Sequence, residues 1–163
     1  MIKNRKAIIV GIKSTTLSKK EKLFLNKYKP WGVILFSRNL KKFKQIQKLI
    51  TDIKSIFKDN KYPILIDQEG GKINRLNKLI DTSILTAEFY GNLYKRDKKK
   101  FSMYYRVYIN QISYLLNELG ININTVPVLD VRRSKSSNII GDRSYSYIPE
   151  NVSKIGDFCI QEF

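Results

Sequence analysis

The sequence predicts an α/β fold around a parallel sheet, and three features predict it. Short apolar runs suited to strands alternate with amphipathic segments whose apolar residues recur every three or four positions. Such alternation implies right-handed crossovers between parallel strands. The third and fourth apolar runs end in carboxylates, Asp67 and Asp130, at the strand ends where α/β folds carry their functional loops. A closed (β/α) barrel and a doubly wound open sheet both satisfy this pattern.

The first strand is predicted at Ala7–Ile12, AIIVGI, as a buried run. Ser18 followed by Glu21 forms a capping-box signature, starting a helix that runs to about Tyr28 and stops at Pro30. Gly32–Phe36 is the second strand. Leu40, Phe43, Ile46, Leu49, Ile50, Ile53, Ile56 and Phe57 then mark the clearest helix, a packing face separated by lysines. Tyr62–Asp67, YPILID, is the third strand. A short helix near Ala87–Leu93 precedes a long one carrying Phe101, Tyr104, Tyr105, Tyr108, Ile112, Leu115, Leu116 and Leu119, with Gly120 as its C-terminal cap. The fourth strand lies within GININTVPVLDV and ends at Asp130. A polar loop leads to a last helix beginning at Pro149 or Glu150, whose apolar face includes Val152, Ile155, Phe158, Cys159 and Phe163.

A chain of 163 residues with 42% hydrophobic content has the size and composition of a globular domain. Its formal net charge of +17 directs attention to nucleic acid or an anionic surface. The excess is spread through a lysine-rich sequence without a nucleic-acid motif, so a solvated basic surface is the expectation, with no specific nucleic-acid partner. The single cysteine, Cys159, excludes an internal disulfide, and the absence of histidine removes Cys-His metal sites. Neither a metal nor a cofactor is expected. The N-terminal apolar run is short for a signal peptide, and no run approaches a membrane span; a cytoplasmic setting follows.

The most informative stretch is ILIDQEGGKINRL, residues 64–76. Asp67 is the first polar position after the strand, and Gly70-Gly71 permit a sharp turn or a close ligand approach. Arg75 can fold back over the same pocket, and Arg143, in IGDRSYS, can add a second guanidinium. A carboxylate accepts from sugar hydroxyls, while guanidinium groups donate to hydroxyl oxygens. Structural ion pairing is the competing role for the same residues. Phosphate binding fits poorly, because no G-x-G-x-x-G or Walker pattern is present and the glycine pair follows two acids.

At these residues the sequence closely resembles the DQEGG segment of family-three glycoside hydrolases, especially their bacterial β-N-acetylhexosaminidases. The resemblance extends through PWGVILFSRNL, GININTVPVLDV and IGDRSYS, in the family's order, over nearly the whole chain. It implies residues 1–163 as the N-terminal portion of a (β/α) TIM-type barrel. It also implies hydrolysis of terminal β-linked N-acetylglucosamine, often from peptidoglycan fragments during recycling. By position, Asp67, Arg75 and Arg143 would bind the terminal sugar, with Glu69, Gly70, Gly71 and Asp130 in support.

The resemblance also implies a retaining mechanism, with an aspartate nucleophile and a loop histidine as acid/base. This chain has no histidine, and the family's nucleophile lies beyond Phe163. No catalytic residue is therefore assigned here. The expectation is a fragment of a longer hydrolase, inactive alone, with a missing C-terminal half as a partner. A non-catalytic sugar-binding remnant is the first alternative, and a basic nucleic-acid-binding protein is the lesser one. Lys72 stands where the motif commonly has arginine, keeping the charge but losing the guanidinium fork.

Overall fold

The computed structural model describes residues 4–133 and 139–163. Residues 134–138, inside the predicted polar loop, lie outside the described residues. The chain divides into two compact units. The first comprises residues 1–67, 75–80 and 116–124, and the second comprises residues 68–74, 81–115 and 125–163.

The first unit holds the sheet: β1 (Lys6–Gly11), β2 (Pro30–Leu35), β3 (Ile64–Ile66) and β4 (Ile123–Asn124), all parallel and in the order β1-β2-β3-β4. Strands that follow one another in sequence are also neighbours in space. A doubly wound sheet would reverse its order at a switch point. The unbroken order therefore selects the barrel-type architecture, present here as an open portion whose edges are β1 and β4. Val33, Leu35, Ile64 and Ile66 are completely buried in its centre.

Between the strands run α1 (Lys19–Tyr28) and α2 (Phe43–Phe57). The capping box starts α1 as expected: Ser18 Oγ accepts from the Glu21 amide at 3.2 Å, and Glu21 accepts from the Ser18 amide at 2.8 Å. Lys29, at φ 48°, ends the helix, so Pro30 begins β2. Ile46, Leu49, Ile50 and Ile53 of α2 are buried, which bears out its predicted packing face.

Three strand expectations need correction, and the plainest is that only Ile64–Ile66 of the expected Tyr62–Asp67 run pairs as a strand. The β1 run is exposed along most of its length, with Ile8 and Ile9 each nearly half accessible, because among the described residues it is an edge strand paired only with β2. The fourth strand is two residues long and does not reach Asp130. Its ladder can run only beside β3, which itself ends at Ile66, and Pro127 further on has no amide to donate.

The second unit contains α3 (Ala87–Arg96), the first eighteen residues of α4 (Lys98–Leu119), a 3₁₀ turn (Gly141–Arg143) and α5 (Pro149–Glu162). Its core is aromatic: Tyr90, Phe101, Tyr105 and Tyr145 pack with Leu93, Ile109, Val152, Ile155 and Cys159. Thus the tyrosine stripe of α4 is mainly packing, except that Tyr104, expected within it, is exposed on the other side of the helix from Tyr105 and Ile109. Tyr105 and Tyr145 join hydroxyls at 2.6 Å, which satisfies two polar atoms that burial would otherwise strand.

Candidate sugar-binding site

The first unit holds Asp67 and Arg75. Asp67 follows β3 directly, where the buried Ile64-Leu65-Ile66 run fixes the backbone from which it projects. One Arg75 terminal nitrogen, Nη2, donates to Asp67 Oδ2 at 3.2 Å, and both side chains are about one quarter exposed. Arg75 Nε is buried without a hydrogen-bond partner. A cationic donor in that state is favoured only if a ligand or solvent supplies an acceptor.

Phe36, immediately after β2, supports this arginine. The Arg75 guanidinium carbon lies 5.4 Å from the Phe36 ring centre and that of Arg38 lies 4.6 Å from it, both within cation–π range. Asn39 holds the same loop in place. Its side-chain oxygen accepts from the Phe36 amide at 2.9 Å, and its amide nitrogen donates to the carbonyls of Ile12 and Ser14. Sequence reasoning missed both residues. The signal lay in FSRNL, where a fully buried asparagine in a connection indicates a loop built on side-chain hydrogen bonds.

The second unit holds Glu69, Gly70, Gly71 and Arg143. The two glycines have φ of 93° and 56°, in the region that favours glycine. A Cβ on Gly70 would overlap the Leu85 carbonyl oxygen, and one on Gly71 would come within 2.8 Å of Thr86 Cγ2. The Gly71 amide donates to the Thr82 carbonyl at 2.9 Å, and Gly70 bridges Ile73. The pair thus folds a tight turn with its amide used internally, consistent with the poor case for phosphate cradling.

Glu69 meets Arg143 in a two-pronged pair: Nε donates to Oε2 at 2.8 Å and Nη2 to Oε1 at 2.7 Å. Its carboxylate is only 12% exposed. Beside it, Lys72 Nζ lies 3.6 Å from Asp142 Oδ1. The turn loop and the 3₁₀ turn are therefore joined by two ion pairs of opposite polarity. Asp130 contributes differently from expectation. It lies six residues past β4 and is exposed, and its backbone carbonyl accepts from Ser144 Oγ at 2.6 Å, which fixes the residue after Arg143.

Behind these residues the second unit has a pocket lined by Glu69, Gly71, Tyr105, Tyr108, Arg143 and Cys159. Its interior volume of about 20 Å³ suits a single water and is far too small for a sugar ring. Burial raises the Cys159 thiol above its ordinary pKa, an effect only partly offset by the Tyr105 and Tyr145 hydroxyls. Such a thiol is a packing group, as expected from its apolar helix face. Among the described residues no cluster of carboxylate and thiol groups could hold a metal, and no helix is long and apolar enough to cross a membrane.

Comparison with known proteins decides the family. The sequence profile of the glycosyl hydrolase family 3 N terminal domain matches residues 4–162. The chain belongs to glycosyl hydrolase family 3. A β-hexosaminidase from Hydrogenovibrio crunogenus is 34% identical over 158 residues, covering 94% of this chain and 42% of that protein. Beta-hexosaminidase A from Pseudoalteromonas piscicida is 33% identical over 146 residues, covering 87% of this chain and 24% of that protein. The family 3 chain thus spans less than half the length of these relatives. Native NagZ from Neisseria gonorrhoeae superposes with a TM-score of 0.85 at 23% identity, over 98% of this chain and 46% of that one. A family 3 β-N-acetylglucosaminidase from Paenibacillus superposes with a TM-score of 0.79 at 27% identity, over 95% and 29%. These likenesses establish the (β/α) barrel portion as the fold of this family 3 chain.

Proposed function

We propose that residues 1–163 form the N-terminal part of the catalytic domain of a β-N-acetylhexosaminidase and hold the terminal N-acetylglucosamine of the substrate. The observation that carries this reading is the Asp67–Arg75 pair at the end of β3. It is single-pronged, and Arg75 Nε is buried without a partner. A carboxylate and a guanidinium so placed present acceptors and donors to vicinal hydroxyl groups, which are neutral and tolerate the surrounding positive charge. Arg143 is the third sugar-binding residue, with Glu69, Gly70, Gly71 and Asp130 shaping its surroundings. The β-hexosaminidase names of the relatives support the substrate class. So does the Neisseria gonorrhoeae NagZ structure in complex with N-trifluoroacetyl-D-glucosamine.

Hydrolysis with retention needs a nucleophile and an acid/base. We assign both to segments outside these 163 residues, since the family 3 chain has no histidine and spans under half of its relatives. Recycling of peptidoglycan fragments in the cytoplasm is the setting we propose. Calorimetric titration of N-acetylglucosamine into residues 1–163 tests sugar recognition; absence of saturable binding, with the fold intact, removes the reading. Release of a chromogenic aglycone by residues 1–163 alone would overturn the assignment of catalysis elsewhere. The lack of histidine also favours a second reading, a sugar-binding remnant. That reading requires binding without turnover even when the relatives' remaining segments are fused in frame.

A further inference from the structure

Tyr108 lies on the tyrosine stripe of α4, yet its hydroxyl has a different environment from the core phenols around it. It donates to the Glu69 backbone carbonyl at 3.3 Å. A Cβ on Gly70 would lie 3.0 Å from this hydroxyl, so the phenol occupies space that the glycine leaves open. Next to it, the Gln68 side-chain amide donates to Thr82 Oγ1 at 3.2 Å, and both residues are buried. Burial pushes the Tyr108 phenol up to about 12, an effect partly offset by the Gln68 and Thr82 side chains. The ring itself is held by neighbours: its plane lies within 10° of Tyr105, and its centre is 5.5 Å from that of Tyr90.

A rigid helix thus delivers one hydroxyl to the backbone of the residue whose carboxylate grips Arg143 from two directions. We infer that Tyr108 is a positioning residue for Arg143, acting through the Glu69 backbone to set where the guanidinium stands. The inference deepens the sugar-binding reading and rests on it for its functional consequence. A purely packing phenol at this site would be replaced by phenylalanine without effect on Arg143. A positioning phenol would not, because the Glu69 carbonyl loses its donor while the ring packing remains.

The experiment follows the Arg143 Nε–H signal of ¹⁵N-labelled residues 1–163 by nuclear magnetic resonance, assigned by its loss in Arg143→Lys. The wild-type signal should exchange slowly with solvent, as a two-pronged pair requires. In Tyr108→Phe it should move toward the position of a solvated guanidinium and exchange faster. Affinity for N-acetylglucosamine should fall by about fivefold. Tyr90→Phe, in the same aromatic cluster, should leave the signal in place. An unmoved Arg143 signal in folded Tyr108→Phe overturns the inference, as does an equal shift in Tyr90→Phe. If Tyr108→Phe fails to fold, the Tyr108 hydroxyl proton of the wild-type chain is followed instead, and exchange with solvent as fast as that of the exposed Tyr114 hydroxyl overturns the inference as well. A wild-type chain that binds no N-acetylglucosamine, with the signal still dependent on Tyr108, sinks the sugar-binding reading and leaves the positioning role standing.

Discussion

Asp67 and Glu69 stand two residues apart in the chain, yet each pairs with a different arginine, in a different compact unit and in a different manner. Asp67 takes one contact from Arg75 at 3.2 Å, and Arg75 keeps a buried Nε without a partner. Glu69 takes two contacts from Arg143, at 2.7 and 2.8 Å, and its carboxylate is half as exposed as that of Asp67. A two-pronged guanidinium–carboxylate pair is geometrically saturated along that edge and resists rearrangement. The one-pronged pair leaves the Arg75 Nε donor to meet a further acceptor. The difference separates a carboxylate that holds a residue in place from the one proposed to meet the sugar, although both sit in the same five-residue motif.

The comparison is most directly broken by exchanging what each carboxylate does. Asp67→Ala should weaken N-acetylglucosamine binding by about 100-fold, about 2.7 kcal/mol, since it deletes charged hydrogen bonds. Calorimetry on residues 1–163 checks this, and a change below about threefold would remove Asp67 from the site. Glu69→Gln should instead act first on stability. Loss of a mostly buried two-pronged charge pair costs about 2 kcal/mol, equivalent to a melting temperature lower by about 4–8 °C in a chain of this size. Asp67→Asn should lower the melting temperature by less than half as much. If the two thermal effects came out equal, the distinction between a holding pair and a ligand-facing pair would fail.

Alkaline pH sharpens the contrast from the side of the second unit. Burial raises Tyr105 and Tyr145 well above the ordinary phenol range and Tyr108 to about 12. A raised folded-state pKa means that the neutral phenol is the form the fold retains. Its stabilising contribution is complete below the unfolded value of about 10 and is lost as pH rises through the folded value. Near-ultraviolet circular dichroism should therefore show the tyrosine signal of the second unit persisting through about pH 10, where exposed phenols ionise, and being lost only as pH rises through about 12. A signal from this cluster lost near about pH 10, at the ordinary phenol value, would contradict its burial.

The smallest effect serves as a control. Ser18→Ala removes the capping box of α1 in the first unit and should cost about 1 kcal/mol of stability. It should leave sugar affinity unchanged, which separates general weakening of the first unit from damage to Asp67 and Arg75. Acidification should act in the same place. Burial works against the Glu21 carboxylate, but the Ser18 hydroxyl and the Lys13 and Ser18 amides outweigh it, so its pKa is lowered. The cap is therefore fully stabilising above the unfolded carboxylate value and is lost as pH falls through the lowered one.

By itself the sequence determined the order of strands and helices, the capping box at Ser18 and Glu21, and the turn at Gly70-Gly71. These follow from local spacing and backbone chemistry, which a linear reading contains. Parallel pairing also followed, because strands separated by amphipathic helices have few other ways to bury both faces. Tertiary structure alone decided that β1 is exposed at an edge and that the fourth strand stops before Asp130, since a strand's length depends on the partner beside it. It alone matched Asp67 with Arg75 and Glu69 with Arg143, because pairing depends on where side chains meet in space and the sequence offered both arginines to both acids. It also drew the hydroxyl of Tyr108 out of a helical packing stripe and placed it against Glu69. In the sequence that residue differs in nothing from the phenols around it, and only its neighbours in space give it another role.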